Sequence, residues 1–222
     1  MEQSIFAQWL NETFYAFDSA ILGFYHSLAE WGSGFFTPFM KFISLLGEKG
    51  LFFILLALTL LFFSKTRKNG FCMLVAIIFG ALFTNIILKN TICRIRPFEL
   101  YESFREFWNF VGAEHAGGFS FPSGHATATT AFMGALVLTA NKKWCFLAVP
   151  FVILMAASRN YLMVHYPTDV AAGMIVGAVA ALCAYGVTSL IFKYLHNRQD
   201  LKFCRFVLHS DLKNIFLKTK KR

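Results

Sequence analysis

The segment GFCMLVAIIFGALFTNIILKNTICRIRP, residues 70–97, decides the fold. Residues 70–88 carry no charged side chain and approach the roughly 20 residues that cross a hydrocarbon core; Lys89, Arg94 and Arg96 then arrive together ahead of Pro97. Such a helix reads as a membrane span that ends in a cluster of cations. Each cation alone reads as a snorkelling residue at the headgroup level; clustered, they read as an anion site.

Outward from that segment the same pattern repeats. Apolar runs over 51–64, 124–140, 144–157 and 168–192 approach span length once their flanks are counted. With 57% hydrophobic residues, 15% charged and 28 Phe in 222 residues, the chain lies far from soluble usage. It reads as an all-α polytopic membrane helical bundle of five transmembrane helices in one domain, without linker or repeat. Over 1–46, Glu2, Glu12, Asp18, Glu30 and Lys41 interrupt apolar residues at helical spacing. The pattern predicts two N-terminal amphipathic helices, 5–30 and 38–46, broken at Gly32-Ser33-Gly34; a sixth span over 19–36 is the alternative. No removable signal peptide is expected. The five cysteines form no CxxC pair or disulfide framework and read as buried thiols.

Charge sets the orientation. Lys65, Arg67 and Lys68 follow the first span, Lys142 and Lys143 the third, and the tail from Lys193 carries nine Lys/Arg against two Asp. The positive-inside rule puts these in the cytoplasm and the other loops, 89–121 and 159–167, on the extracytoplasmic face, with the C-terminus cytoplasmic. The net charge of +9 is therefore directed at anionic lipid headgroups, through a tail with Phe203, Phe206, Ile215 and Phe216 among its basic residues. No nucleic-acid partner is expected, and no protein partner can be read.

Two further polar clusters reach that extracytoplasmic face. In Phe121-Pro122-Ser123-Gly124-His125, Ser123 suits an N-cap and Gly124 permits close approach, so free amides at the helix start favour an anion, with His125 beside it as a candidate acid. In Ser158-Arg159 through His165-Tyr166-Pro167-Thr168-Asp169, Pro167 fits the first helical position, and Asp169 can point back to His165 and fix its tautomer. A phosphoryl transfer state spreads charge over three oxygens and needs several fixed cations; Lys89, Arg96 and Arg159 supply them.

Lys89-x6-Arg96-Pro97, Pro122-Ser123-Gly124-His125 and Ser158-Arg159-x5-His165-x3-Asp169 together resemble the three-part signature of the type 2 phosphatidic acid phosphatase (PAP2) superfamily, with all eleven identities in order. The resemblance implies that His165 attacks phosphorus to form a phosphohistidine while Asp169 holds its ring. It implies that His125 protonates the leaving oxygen and later activates water, and that Lys89, Arg96, Ser123, Gly124 and Arg159 bind the phosphate. It implies no metal and no cofactor, in keeping with the want of closely spaced carboxylates. The chain then divides into interface helices over 1–46, a PAP2-like catalytic transmembrane domain over 47–195 and a basic cytoplasmic tail over 196–222.

The substrate is expected to be a membrane lipid phosphate or diphosphate: undecaprenyl pyrophosphate, phosphatidylglycerophosphate, phosphatidic acid or diacylglycerol pyrophosphate. The alternative is a non-catalytic lipid-phosphate binding or flipping protein, which would need the cations but not the His125, His165 and Asp169 set. A metal site from His115, His125, His165 and Asp169 lacks a close ligand pair. His115 reads as an exposed histidine in the loop that also carries Tyr101, Glu102, Arg105, Glu106 and Glu114 and is expected to cover the cleft. Gly173-x3-Gly177 reads as a small-residue packing face.

Overall fold

The computed structural model describes residues 3–140 and 142–213, and among them every regular element is a helix, with no strand. In order these are α1 (Ile5–Leu46), α2 (Leu51–Leu61), α3 (Arg67–Ala81), α4 (Lys89–Ile92), α5 (Pro97–Leu100), α6 (Glu102–Val111), α7 (Gly124–Thr139), α8 (Cys145–Tyr161), α9 (Pro167–Asn197) and α10 (Lys202–His209). Three helical stretches, Ile5–Leu61, Arg67–Leu100 and Pro167–Asn197, are long and apolar enough to cross a membrane by length and composition; Cys145–Tyr161 is apolar but shorter.

The centre of the bundle is α3, α7 and α9 in mutual contact, with α2 against α3. Between apolar helices in lipid, close van der Waals contact does the work that water exclusion does elsewhere, so small residues line the seam. Gly173 and Gly177 fill the packing role their spacing predicts: an added Cβ would lie 2.6 Å from the Ser123 carbonyl oxygen at the first and 2.6 Å from that of Thr127 at the second. Ala131, Ala135, Ala180 and Ala184 continue the seam, and Phe53 stacks on Phe132 with centroids 4.9 Å apart. The outward faces present Ile78, Ile86, Phe146, Leu147, Ile175 and Leu190, all exposed. With the same apolar character inside and out, the fold is that of a membrane protein.

The N-terminal segment holds two helices that meet at a kink where the sequence predicts a break: within α1, Gly32 leaves helical dihedrals (φ −151°, ψ 39°), while Pro38, the expected start of the second helix, lies inside it. Ala29 and Met40, on either side of the kink, are buried in one cluster with Tyr161, Leu162 and Phe98, so both halves pack on the same surface. Asp18, expected on the polar face, is 2% exposed. Contacts spaced along α1 all fall at one end of the bundle: Ser4 Oγ donates to the Ile92 carbonyl, Thr168 N to Asp18 Oδ1, and Lys41 Nζ to the Gly112 carbonyl.

The tail is also more ordered than a basic segment suggests. Arg67 donates to the carbonyls of Val207 and Ser210, and Asp211 Oδ2 accepts from the Ser64 amide and hydroxyl, so α10 is clasped to the α2–α3 turn. Phe203 and Phe206 remain exposed there, whereas Ile215 and Phe216 lie outside the described residues.

Candidate active site

Between α3 and α4 the backbone is π-helical over Leu82–Leu88. The wider turn rotates everything beyond it, a device common at functional sites, and Lys89 comes to line a cavity of about 730 Å³. The Lys89 ammonium stands 4.0 Å from where a Cβ on Gly124 would lie, so it sits at the start of α7. Cys93 closes α4 in the left-handed region (φ 55°), and Arg96 is extended before Pro97, as a residue preceding proline must be. Arg96 is pinned by three carbonyls, with Nε donating to Gly118, Nη2 to Gly117 and Nη1 to Val164, and Nη1 lies 3.4 Å from His165 Nε2.

Ser123 caps α7 by accepting from the Ala126 amide and is fully buried; its own amide donates to the Asp169 carbonyl. It does not line the cavity, whereas Gly124 and His125 do. Its hydroxyl is therefore committed to the helix start, which presents Gly124 to the cavity. Arg159, near the end of α8, is 6% exposed; its Nη1 donates to Ser44 Oγ, while its Nε has no hydrogen-bond partner among the described residues.

His165 lies between α8 and α9, 2% exposed. Asp169, in the first turn of α9, points back to it: Oδ2 stands 3.6 Å from His165 Nδ1 and accepts from the Tyr166 amide and from Ser120 Oγ. With Nδ1 turned to the carboxylate, Nε2 is left toward Arg96 and the cavity. Burial pushes the His165 imidazole down to about 3, against the pull of Asp169, because an imidazolium there would be desolvated and close to Arg96 and Arg159.

Behind Asp169 is a layer that the sequence reading did not assign. Arg94, which the sequence places in the cation cluster before Pro97 without a role of its own, is 0% exposed. Its Nη1 donates to Asp169 Oδ1 at 2.7 Å, its Nη2 to Asp18 Oδ2 at 3.0 Å and its Nε to Asn11 Oδ1 at 2.8 Å, while its guanidinium lies 3.8 Å over the Tyr166 ring. Asp18, Arg94 and Asp169 together carry one net negative charge. Without Asp18, the guanidinium would cancel the carboxylate that faces His165. The signal in the sequence is that Asn11 and Asp18 share a helix face with the apolar Ala7 and Leu22, and an ionisable residue on a buried face needs a partner.

The turn after α1 forms one wall. Ser44 meets Arg159, and Glu48 Oε2 lies 3.5 Å from His125 Nε2. His115 lines the same cavity from the long loop, 3.6 Å from Glu99, and among the described residues no group of three His, Cys, Asp or Glu is disposed to hold a metal ion.

A family model described as the PAP2 superfamily matches residues 69–194. An undecaprenyl-diphosphatase of Sulfolobus acidocaldarius is 31% identical over 144 residues, covering 63% of this chain and 64% of that protein. A lipid A 1-phosphatase of Rhizobium etli is 35% identical over 130 residues, covering 56% and 53%. The chain thus spans between half and two thirds of the length of these curated relatives. A crystal structure described as the first transmembrane PAP2 type phosphatidylglycerolphosphate phosphatase from Bacillus subtilis superposes with a TM-score of 0.65 at 26% identity, covering 84% of this chain and 92% of that one. The matched segment holds all three polar clusters and extends over more than half of the sequence, and on that ground the chain belongs to the PAP2 superfamily.

Proposed function

We propose that this protein is an integral membrane phosphatase that hydrolyses a lipid phosphate or lipid diphosphate through a phosphohistidine on His165, without a metal. The observation that carries the reading is the orientation of His165: Nδ1 backed by Asp169 at 3.6 Å, Nε2 beside Arg96 at the cavity. A buried neutral imidazole with a carboxylate on its far nitrogen is an oriented nucleophile.

Nε2 attacks phosphorus in line, the bond to the leaving oxygen breaks, and His125 delivers a proton to that oxygen. Neutral His125 then takes a proton from water as the water attacks the phosphohistidine, which releases phosphate and restores both rings. Lys89, Arg96, Arg159 and the amide at Gly124 meet the phosphoryl oxygens, and the unpaired Arg159 Nε supports that assignment. Ser123 serves by shaping the helix start.

Relatives named for undecaprenyl diphosphate, lipid A and phosphatidylglycerol phosphate make all three kinds of lipid candidates. An acyl or prenyl tail can stay in the bilayer while the phosphate enters the cavity. We take the chain to have five spans, α2, α3, α7, α8 and α9, with α1 lying across the catalytic end as an interface helix over 1–46. The contacts of Ser4, Asp18 and Lys41 at one end of the bundle support this over a sixth span. The catalytic domain is then 47–195, the cavity is extracytoplasmic, and 196–222 lies on the cytoplasmic leaflet through its lysines, arginines, Phe203 and Phe206.

Phosphate release by purified protein in detergent, from a panel of those lipids, tests the reading. Turnover of at least one lipid that His165→Ala abolishes is expected. A protein that binds the lipids and releases no phosphate would establish the binding or flipping alternative. Cysteine placed at Glu114 is expected to react with an impermeant thiol reagent in intact cells, and cysteine at Thr219 is not; the reverse would invert the topology.

A further inference from the structure

The α1–α2 turn is built around the His125 ring. Gly47 closes α1, and an added Cβ there would come within 2.7 Å of His125 Cδ2 and 2.8 Å of Met155 Cε, so the backbone itself bears on the imidazole. Lys49 (φ 51°) and Gly50 (φ 67°) both adopt left-handed backbone and turn the chain into α2, which leaves Glu48 at the cavity wall. There its Oε2 lies 3.5 Å from His125 Nε2, which has no other polar partner among the described residues.

Cations that share the cavity with that ring oppose a positive charge on it: Arg159 comes from α8, Lys89 from α4 and Arg96 from the stretch before α5. The first turn of α7 itself offers no carboxylate. Asp169 lies behind His165 and is committed to Arg94, and Glu114 lines the cavity from the long loop together with His115. A general acid must nevertheless be protonated when the substrate binds.

We propose that Glu48 is the positioning residue that favours protonation of His125 and holds Nε2 toward the leaving oxygen. This rests on the phosphatase reading for the role of His125, but the pairing itself does not. In the transfer step the proton passes from His125 to the leaving oxygen, and Glu48 stays ionised throughout. As the phosphate leaves, the carboxylate offsets the three cations, so that the emptied site favours renewed protonation of His125.

The test compares Glu48→Gln and Glu48→Asp with the unsubstituted protein, all solubilised in detergent. The first readout is the NMR titration of the His125 ring, assigned by its loss in His125→Gln. Because Glu48 is 54% exposed at its side chain, the midpoint is expected to fall by about half to one pH unit in Glu48→Gln and to recover in Glu48→Asp. The second is the alkaline limb of kcat/KM, which reports loss of the acid in the free enzyme and is expected to move down by the same amount. Substrate ionisation is common to all three proteins and cancels. An unmoved titration, or a uniform fall in rate with the limb in place, would overturn the proposal. A titration that moves in a protein that releases no phosphate would uphold the pairing and overturn the phosphatase reading instead.

Discussion

Residues 69–194 and the segment before them contribute opposite charges to one site. The matched region supplies Lys89, Arg96 and Arg159 with both histidines, a concentration of positive charge suited to a phosphoryl group. The preceding segment supplies two carboxylates: Asp18, which pairs with Arg94 behind Asp169, and Glu48, 3.5 Å from His125 at the cavity wall. In the proposed mechanism, a cationic pocket in a low-dielectric setting stabilises the transferring phosphate but works against the proton that His125 would carry and the negative carboxylate that His165 faces. The family signature holds the chemistry, and α1 with its turn holds the counterweight.

The largest effects belong to the matched region. His165→Ala is expected to abolish turnover, measured as phosphate release, and more than a few per cent of residual activity would contradict its role as nucleophile. Asp169→Asn is expected to leave a trace, lower by on the order of 10²- to 10⁴-fold, since it disturbs the tautomer without removing the ring.

Changes in the preceding segment are expected to be smaller and of two kinds. Asp18→Asn weakens the hydrogen bonds that the buried carboxylate accepts from Arg94 and from the Thr168 amide and hydroxyl, at a cost of about 1.5–3 kcal/mol, read as a lowered melting temperature in detergent. A melting point untouched by Asp18→Asn would dissolve the contrast between the two regions. Gly47→Ala pushes on the His125 ring, and a misplaced acid is expected to lower kcat by up to about 10²-fold with little change in KM. A loss confined to KM would place that turn in substrate binding.

The smallest predicted change is an absence. With its imidazole held down to about 3 by burial, His165 is neutral, and so reactive, throughout the range where an ordinary histidine titrates. Its ring resonance is expected to stay still between about pH 5 and 8. The sign is fixed: a lowered value for a base extends its neutral form toward acid, so an acid limb inside that range belongs to another group.

How much of this was legible in the sequence follows the same division. The helices of the matched region appeared where uncharged runs predicted them, and the return of Asp169 toward His165 follows from Pro167 at the helix start, because these are local rules of spacing and capping. The interruption of α1 at Gly32 was legible as well, but where its two halves pack was not: Ala29 and Met40 find their partners on α5 and α8, which no local pattern encodes. Arg94 showed no role of its own because its partners Asn11 and Asp18 lie far away in sequence. Ser123 was legible as the cap of α7, since a serine before Gly124 at a helix start suits that place, and phosphate binding was implied only by its place in the signature.

The central claim is that His165 carries the phosphoryl group. The most direct measurement is mass spectrometry of protein quenched under alkaline conditions during a single turnover of a lipid diphosphate, whose phosphate leaving group depends least on protonation. The expected result is a phosphoryl group on the peptide containing His165, accumulating in His125→Ala, where activation of water is impaired, and absent in Asp169→Asn at early times. Product formation through a full turnover with no phosphorylated His165 at any time, in the unsubstituted protein and in His125→Ala alike, would contradict it.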